Sequence, residues 1–254
     1  MSVLSPEQVA FFHAQGYLTI ERLMPEEEIP WMRGVYDRLF AERAGRETGD
    51  QFDLAGTDEE GKEAVLPQIL GPARYAPELR ESQLWVHAAQ AVRDLLGPEA
   101  FFGDGHMIFK PPLIGAETPW HQDEAYWDPA LDYTSLSIWV PLQEATLENG
   151  CMWFVPGSHL LEVGPHQSAG GDVRVHALEA LSADVAQAVA CPLPAGGATF
   201  HLSRTLHYSG PNTTDVPRRA YILSGGMPAT PRTDGRRFGW NEAKQTARAK
   251  RAGM

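Results

Sequence analysis

Apolar positions recur at helical spacing through the first hundred residues and alternate after residue 101. Ser5-Pro6-Glu7-Gln8 reads as a helix start, with Ser5 as N-cap, Pro6 at the first helical position and Gln8 placed for a capping box. Val9 and Phe12 give that helix its apolar side and Gly16 ends it, after which Tyr17 to Ile20 alternates like a short strand. A second helix is predicted from about Pro25 to Arg43. There Ile29, Met32, Tyr36, Leu39 and Phe40 share one face, Glu26-Glu27-Glu28 forms an acidic first turn, and Pro30 is tolerated only near the start. Residues 45–72, rich in Gly and charge and without usable periodicity, read as a long loop with at most one helical turn. A third helix spans about Ser82 to Leu96, carrying Leu84, Val92, Leu95 and Leu96 and stopped by Gly97-Pro98.

From Phe101 the period is that of strands: Phe101 to Lys110, Trp120 to Tyr126, Ser135 to Leu142, Cys151 to Val155, Val189 to Leu193, Ala198 to Leu202, Leu206 to Ser209 and Arg219 to Leu223. Glu148-Asn149-Gly150 is expected to turn a hairpin. Helices followed by short punctuated strands indicate a mainly β fold with α, a jelly roll backed by N-terminal helices. The chain is read as one domain over 1–254, with a helical third at about 5–97, a jelly-roll core at about 101–228 and a tail at 233–254. Residues 160–184 form an excursion over one mouth of the barrel. The basic tail, with Lys244, Arg248, Lys250 and Arg251, reads as a solvated helix or a frayed end rather than a nucleic-acid arm.

Composition narrows the partners. With 43% hydrophobic and 21% charged residues the chain is an ordinary globular protein, and a net charge of −12 argues against nucleic acid and against an anionic membrane surface. The first residues lack a signal-peptide pattern, and no apolar run approaches the ~20 residues of a membrane span, so a cytoplasmic protein is expected. Cys151 and Cys191 lie in apolar, strand-like surroundings without a C-x-x-C pattern. They are expected as buried free thiols.

The candidate chemistry lies in Thr118-Pro119-Trp120-His121-Gln122-Asp123-Glu124. In extended backbone His121 and Asp123 share a face while Gln122 and Glu124 turn away, so one imidazole and one carboxylate converge. That is two-thirds of the facial triad that holds non-haem Fe(II) and leaves positions open for ligands. The third ligand must be distant, and His201 and His207 are the downstream histidines on strand-like segments. Arg218 and Arg219 follow His207 across a loop, Gly210 to Pro217, that would make a hairpin. It would set His207 and one of the two arginines on adjacent strands facing the same interior. A buried guanidinium there suits the far carboxylate of a dicarboxylic co-substrate. His159, after Pro156-Gly157-Ser158, reads as a turn residue making a structural hydrogen bond, and Trp120, Trp127 and Trp153 as core or pocket wall.

His121-x-Asp123, then Ala145 through His159 (ATLENGCMWFVPGSH), then His207-x-Ser209-Gly210-x-Asn212 and Arg218, with Phe12 and Gly16-Tyr17 upstream, resemble the phytanoyl-CoA dioxygenase family of Fe(II)- and 2-oxoglutarate-dependent oxygenases. The resemblance spans about residues 5–230. It implies a double-stranded β-helix with a cupin-like core, iron ligands His121, Asp123 and His207, and 2-oxoglutarate bound by Arg218 with help from Ser209, Trp139 lining the pocket. His106 stands where relatives place another co-substrate contact, or it packs only. A lysine that some relatives carry on the preceding helix has no counterpart. The implied reaction uses O2, releases succinate and CO2, and hydroxylates an unactivated C–H of a small-molecule substrate. Halogenation is disfavoured because Asp123 fills the halide's position. A family member with another oxidative outcome, desaturation or epimerisation, is the alternative, as is a non-catalytic jelly-roll binding module that would lack a ligand or the anchor. Family substrates range over acyl-CoA esters, amino acids, phosphonates and natural products, and the acidic surplus disfavours an acyl-CoA. A monomer or weak homodimer is expected.

Overall fold

The computed structural model describes residues 2–253. The capping box is formed: Gln8 N–H donates to Ser5 Oγ at 3.3 Å and Ser5 N–H donates to Gln8 Oε1 at 2.8 Å, opening α1 (Pro6–Gln15). Gly16 closes it at φ +79°, where an added Cβ would stand 2.2 Å from His159 Nδ1. In chain order there follow β1 (Tyr17–Ile20), α2 (Ile29–Ala41), β2 (Gln51–Asp53), β3 (Pro67–Leu70), α3 (Gln83–Leu96), β4 (Phe101–Lys110), β5 (Thr118–His121), β6 (Leu131–Asp132), β7 (Ser135–Pro141) and β8 (Met152–Phe154). The remainder comprises β9 (His166–Ser168), β10 (Leu178–Ala180), β11 (Val189–Cys191), β12 (Ala198–Leu202), β13 (His207–Ser209), β14 (Arg218–Gly226), β15 (Thr230–Pro231), α4 (Gly239–Glu242) and α5 (Ala247–Arg251).

A seven-stranded antiparallel sheet, ordered β1-β12-β7-β14-β4-β3-β2, faces a four-stranded one, ordered β11-β8-β13-β5. Period-2 alternation divides the large sheet between two cores. Met107, Ile138, Val140, Phe200, Tyr221 and Leu223 pack outward against Phe12, Met32, Tyr36, Leu39, Leu84 and Val92 of the helices. Ile108, Trp139, Ala220 and Ile222 point inward, where they meet Tyr17, Cys151, Met152, Phe154 and Cys191. This is the jelly roll with its helical backing, and both cysteines are buried and free. No helix among the described residues is long and apolar enough to cross a membrane.

Five expectations are corrected. Residues 45–72 are not a plain loop. Phe52 and Ile69 supply apolar anchors, so β2 and β3 extend the large sheet, and the buried Asp53 carboxylate accepts from Val65 N–H at 3.0 Å and Leu66 N–H at 2.9 Å. The strand expected over Trp120 to Tyr126 ends at His121, and a 3-10 turn takes over at Asp123. Asn149-Gly150 makes a turn but no hairpin: Asn149 Oδ1 accepts from Thr146 N–H and Gly150 sits at φ +89°, yet β7 and β8 belong to different sheets. Gly210 to Pro217 is likewise not a hairpin loop. It carries the chain from the small sheet to the large one, pinned by Asn212 Nδ2 donating to the carbonyls of Lys110, Pro111 and Val216. The tail is neither frayed nor merely solvated: Trp240 Nε1 and Asn241 Nδ2 donate to Ala125 O, and Arg236 pairs with the buried Glu124 at 2.9 Å.

Candidate metal centre and co-substrate pocket

β5 delivers His121 to the interior. Gln122, extended at φ −116° and ψ 131°, then returns the next side chain, Asp123, to the same side. The Gln122 side chain itself turns away, donating to Arg204 O and accepting from Gly164 N–H. β13 pairs with β5 and sets His207 directly opposite His121, their rings 4.1 Å apart. One ligand atom from each of His121, Asp123 and His207 lies within 4.8 Å of the others. Asp123 Oδ1 stands 3.7 Å from His121 Nε2 and 3.5 Å from His207 Nε2.

The surroundings decide which atoms are free. The Nδ1 of His121 lies 2.7 Å from Pro119 O and that of His207 2.8 Å from Thr205 O, so each ring donates there and presents the lone pair of Nε2 to the common point. Asp123 Oδ2 accepts from Ser137 Oγ at 2.7 Å and lies 3.3 Å from His201 Nε2, which leaves Oδ1 for the centre. Burial opposes ionisation of Asp123, but the charge that His207 takes up in acid, with hydrogen bonds to His121 and His201, overcomes it and holds the carboxyl well below the usual range. Burial, then the neighbouring histidines, push His207 well below the ordinary histidine value, which keeps its ring neutral. Two imidazole Nε2 atoms and one carboxylate oxygen in a buried cleft form a donor set that fits Fe(II).

Across the interior, β14 points Arg218 inward and Arg219 outward. Arg219 pairs with Asp37 of α2 at 2.6 Å, whereas Arg218 is 1% exposed and its Nε and Nη1 have no hydrogen-bond partner. The Trp139 ring lies 5.4 Å from the Arg218 guanidinium. A buried cation with unused donors in the barrel that holds the triad is shaped for a carboxylate. Ser209 is buried nearby, its hydroxyl donating to Gly150 O at 2.8 Å. His106 is placed at the metal end of β4, where the charges of Asp123, His201 and His121 reach it and burial lowers it to about 4. The β4 residue paired with Arg218 is Lys110, fully buried, with Nζ donating to Ser209 O at 3.0 Å and Gly210 O at 2.5 Å. Burial, then Arg218, depresses Lys110 well below its ordinary value. Glu124 is turned away onto Arg204 and Arg236.

Sequence reasoning missed Lys110 and the role of His201 as partner of Asp123. His106, Ile108 and Lys110 share one face of β4, a signal that could have placed the lysine inside once His106 was. The serine on Asp123, Ser137, left no signal beyond its place on Trp139's face of β7.

The phytanoyl-CoA dioxygenase (PhyH) family profile matches residues 12–220. The probable alpha-ketoglutarate-dependent hypophosphite dioxygenase of Stutzerimonas stutzeri is 34% identical over 223 residues, covering 86% of this chain and 77% of that one. A phytanoyl-CoA dioxygenase of Arabidopsis thaliana is 29% identical over 187 residues, covering 61% of this chain and 65% of that one. Among solved structures, EvdO2 from Micromonospora carbonacea var. aurantiaca, complexed with 2-oxoglutarate, superposes with a TM-score of 0.80 at 36% identity, covering 94% of this chain and 99% of that one.

Proposed function

The chain belongs to the phytanoyl-CoA dioxygenase family of Fe(II)- and 2-oxoglutarate-dependent oxygenases, and from that premise we propose that it hydroxylates an unactivated C–H bond of a small molecule. His121, Asp123 and His207 would hold the iron, and Arg218 the distal carboxylate of 2-oxoglutarate. Bound there, iron supplies the activation of O2 at the expense of the keto acid, which leaves as succinate and CO2. The chain's own part is placement. Ser137 and His201 hold one oxygen of Asp123 so that the other faces the centre, and the carbonyls of Pro119 and Thr205 orient both ligand rings. The Trp139 ring supports the Arg218 guanidinium from 5.4 Å away, and Lys110 holds the Ser209 carbonyl on β13, the strand that carries His207.

The observation that carries this reading is the Arg218 side chain, a fully buried guanidinium with two unpartnered nitrogens in the barrel that also holds a three-residue metal site. Left unmatched, such a group costs several kcal/mol, so a carboxylate ligand is its natural complement. The test is to supply iron, 2-oxoglutarate, 18O2 and candidate metabolites and to follow succinate and product mass together. Succinate formed in step with a product carrying one 18O is the expected result. A product lighter by two hydrogens, or of unchanged mass, would replace hydroxylation with desaturation or epimerisation. Absence of 2-oxoglutarate uptake by the iron-loaded chain would leave only a binding module.

A further inference from the structure

The tail lies beyond the residues that the family profile matches, yet it packs back against Ala125, two residues after Asp123. Besides the anchors on Glu124 and Ala125, Gln245 N–H donates to Val173 O at 2.9 Å and Arg248 Nε donates to Gly49 O at 3.1 Å. Its arginines Arg232, Arg236, Arg237 and Arg251 are paired with Asp234, Glu124, Glu242 and Asp58 respectively. Lys244 and Arg248 are different: among the described residues neither has a carboxylate partner within salt-bridge distance, in a chain whose net charge is −12. Asp50, whose charge reaches Arg248, is engaged by Arg74 and Tyr75.

Both cations lie on aromatic faces. Lys244 Nζ is 4.6 Å from the Tyr126 ring centre, and the Arg248 guanidinium is 5.1 Å from that of Phe52. Between those rings stands His176, 4.8 Å from Phe52 and stacked at 5.8 Å on Tyr126, its Nδ1 buried without a partner. The Tyr126 ring meets the edge of His121 at 5.9 Å, which places this cluster one ring away from the metal ligands. Cation–π contact leaves the Lys244 ammonium donors unused, and on Arg248 the Nη donors remain once Nε has gone to Gly49 O. The tail's remaining unpaired cation, Lys250, is exposed to solvent, so two half-buried unpaired cations and an unpartnered imidazole in one cluster describe a site for an oxyanion.

We propose that Lys244, Arg248 and His176 form an anion subsite, which takes a carboxylate or phosphate group of the primary substrate. The assignment to substrate rests on the oxygenase reading. Burial and the charge of Arg248 bring Lys244 down to about 7, and burial with both cations brings His176 down to about 3.

The test titrates the full-length, metal-free chain with inorganic phosphate and, separately, with acetate, following the ring nitrogens of His176 by NMR. A saturable His176 shift is expected, with Lys244→Gln and Arg248→Gln each weakening it about tenfold or more, and Lys244→Arg retaining it. Response to acetate alone identifies a carboxylate and response to phosphate alone a phosphoryl group. No shift in the wild type, or an unchanged shift in both glutamine variants, overturns the subsite. Displacement of 2-oxoglutarate by the same anion also overturns it, because the anion would then be reading Arg218. Uptake of 2-oxoglutarate by the wild-type chain with Zn(II) separates the two readings: if it persists while the anion titration fails, only the subsite falls.

Discussion

Arg218 and Arg219 are neighbours in sequence with opposite environments, one buried without a partner and the other on the helical layer paired with Asp37. On the proposed assignment, Arg218→Ala would remove a charge-assisted, two-pronged contact to 2-oxoglutarate from a largely dry site, a loss of about 2–4 kcal/mol, or roughly thirty- to several-hundred-fold in its affinity. Arg219→Ala loses a half-exposed ion pair and some stem packing, at most about 1 kcal/mol of stability. The 2-oxoglutarate dependence of succinate formation, measured alongside melting temperature, checks both. A rise in the apparent constant for Arg219→Ala alone would reverse the assignment. At this scale the sequence was informative because strand periodicity forces one arginine in and the other out, and because an extended Gln122 keeps His121 and Asp123 on one side. The contacts of Asp123 with His201 and Ser137 were not legible, since they join positions far apart in the chain.

Among the elements, helices with local signals came through: the Ser5 box, the Gly16 stop and the Gly97-Pro98 stop act within a few residues. Crossings between sheets did not. The Asn149-Gly150 and Gly210–Pro217 segments announce that the chain turns, but turn chemistry does not say which sheet receives the next strand. His207 and Arg218 therefore face one interior from opposite sheets rather than from adjacent strands. The pair β2–β3 was hidden because its connection, residues 54–66, is closed by a side chain instead of a tight turn. Asp53 does this by accepting from Val65 and Leu66 N–H, so Asp53→Ala should strand two amide donors and cost about 2–3 kcal/mol. Urea denaturation measures that cost, and loss of hydrogen-exchange protection confined to residues 51–70 would locate it. Unchanged stability would show that water replaces the carboxylate without penalty.

For the whole molecule, buried neutral histidines set the response to acid. Burial lowers His166 to about 4 and His176 to about 3, against about 6.5 in an unfolded chain. Between those values the unfolded state binds more protons, so stability is complete above about pH 6.5 and is lost as pH falls toward 4. The slope is at most about 1.4 kcal/mol per pH unit for each group. Asp123, also depressed, acts in the same direction at lower pH. The urea midpoint of the metal-free chain should therefore drop from pH 7.5 to pH 5, and a flat profile would contradict the burial of these rings. The tail belongs to this scale too, since Arg236 and Arg251 dock onto Glu124 and Asp58, Trp240 and Asn241 dock onto Ala125 O, and only the folded chain reveals it.

The central claim is that His121, Asp123 and His207 on one side and Arg218 on the other grip the two ends of a single 2-oxoglutarate molecule. Anaerobic calorimetric titration of 2-oxoglutarate into the chain, with and without Fe(II), tests it most directly. The account predicts one 2-oxoglutarate per chain, bound at least about tenfold more tightly when iron is present, equivalent to about 1.4 kcal/mol of coupling. Equal affinity with and without iron, or no uptake in either case, would contradict it.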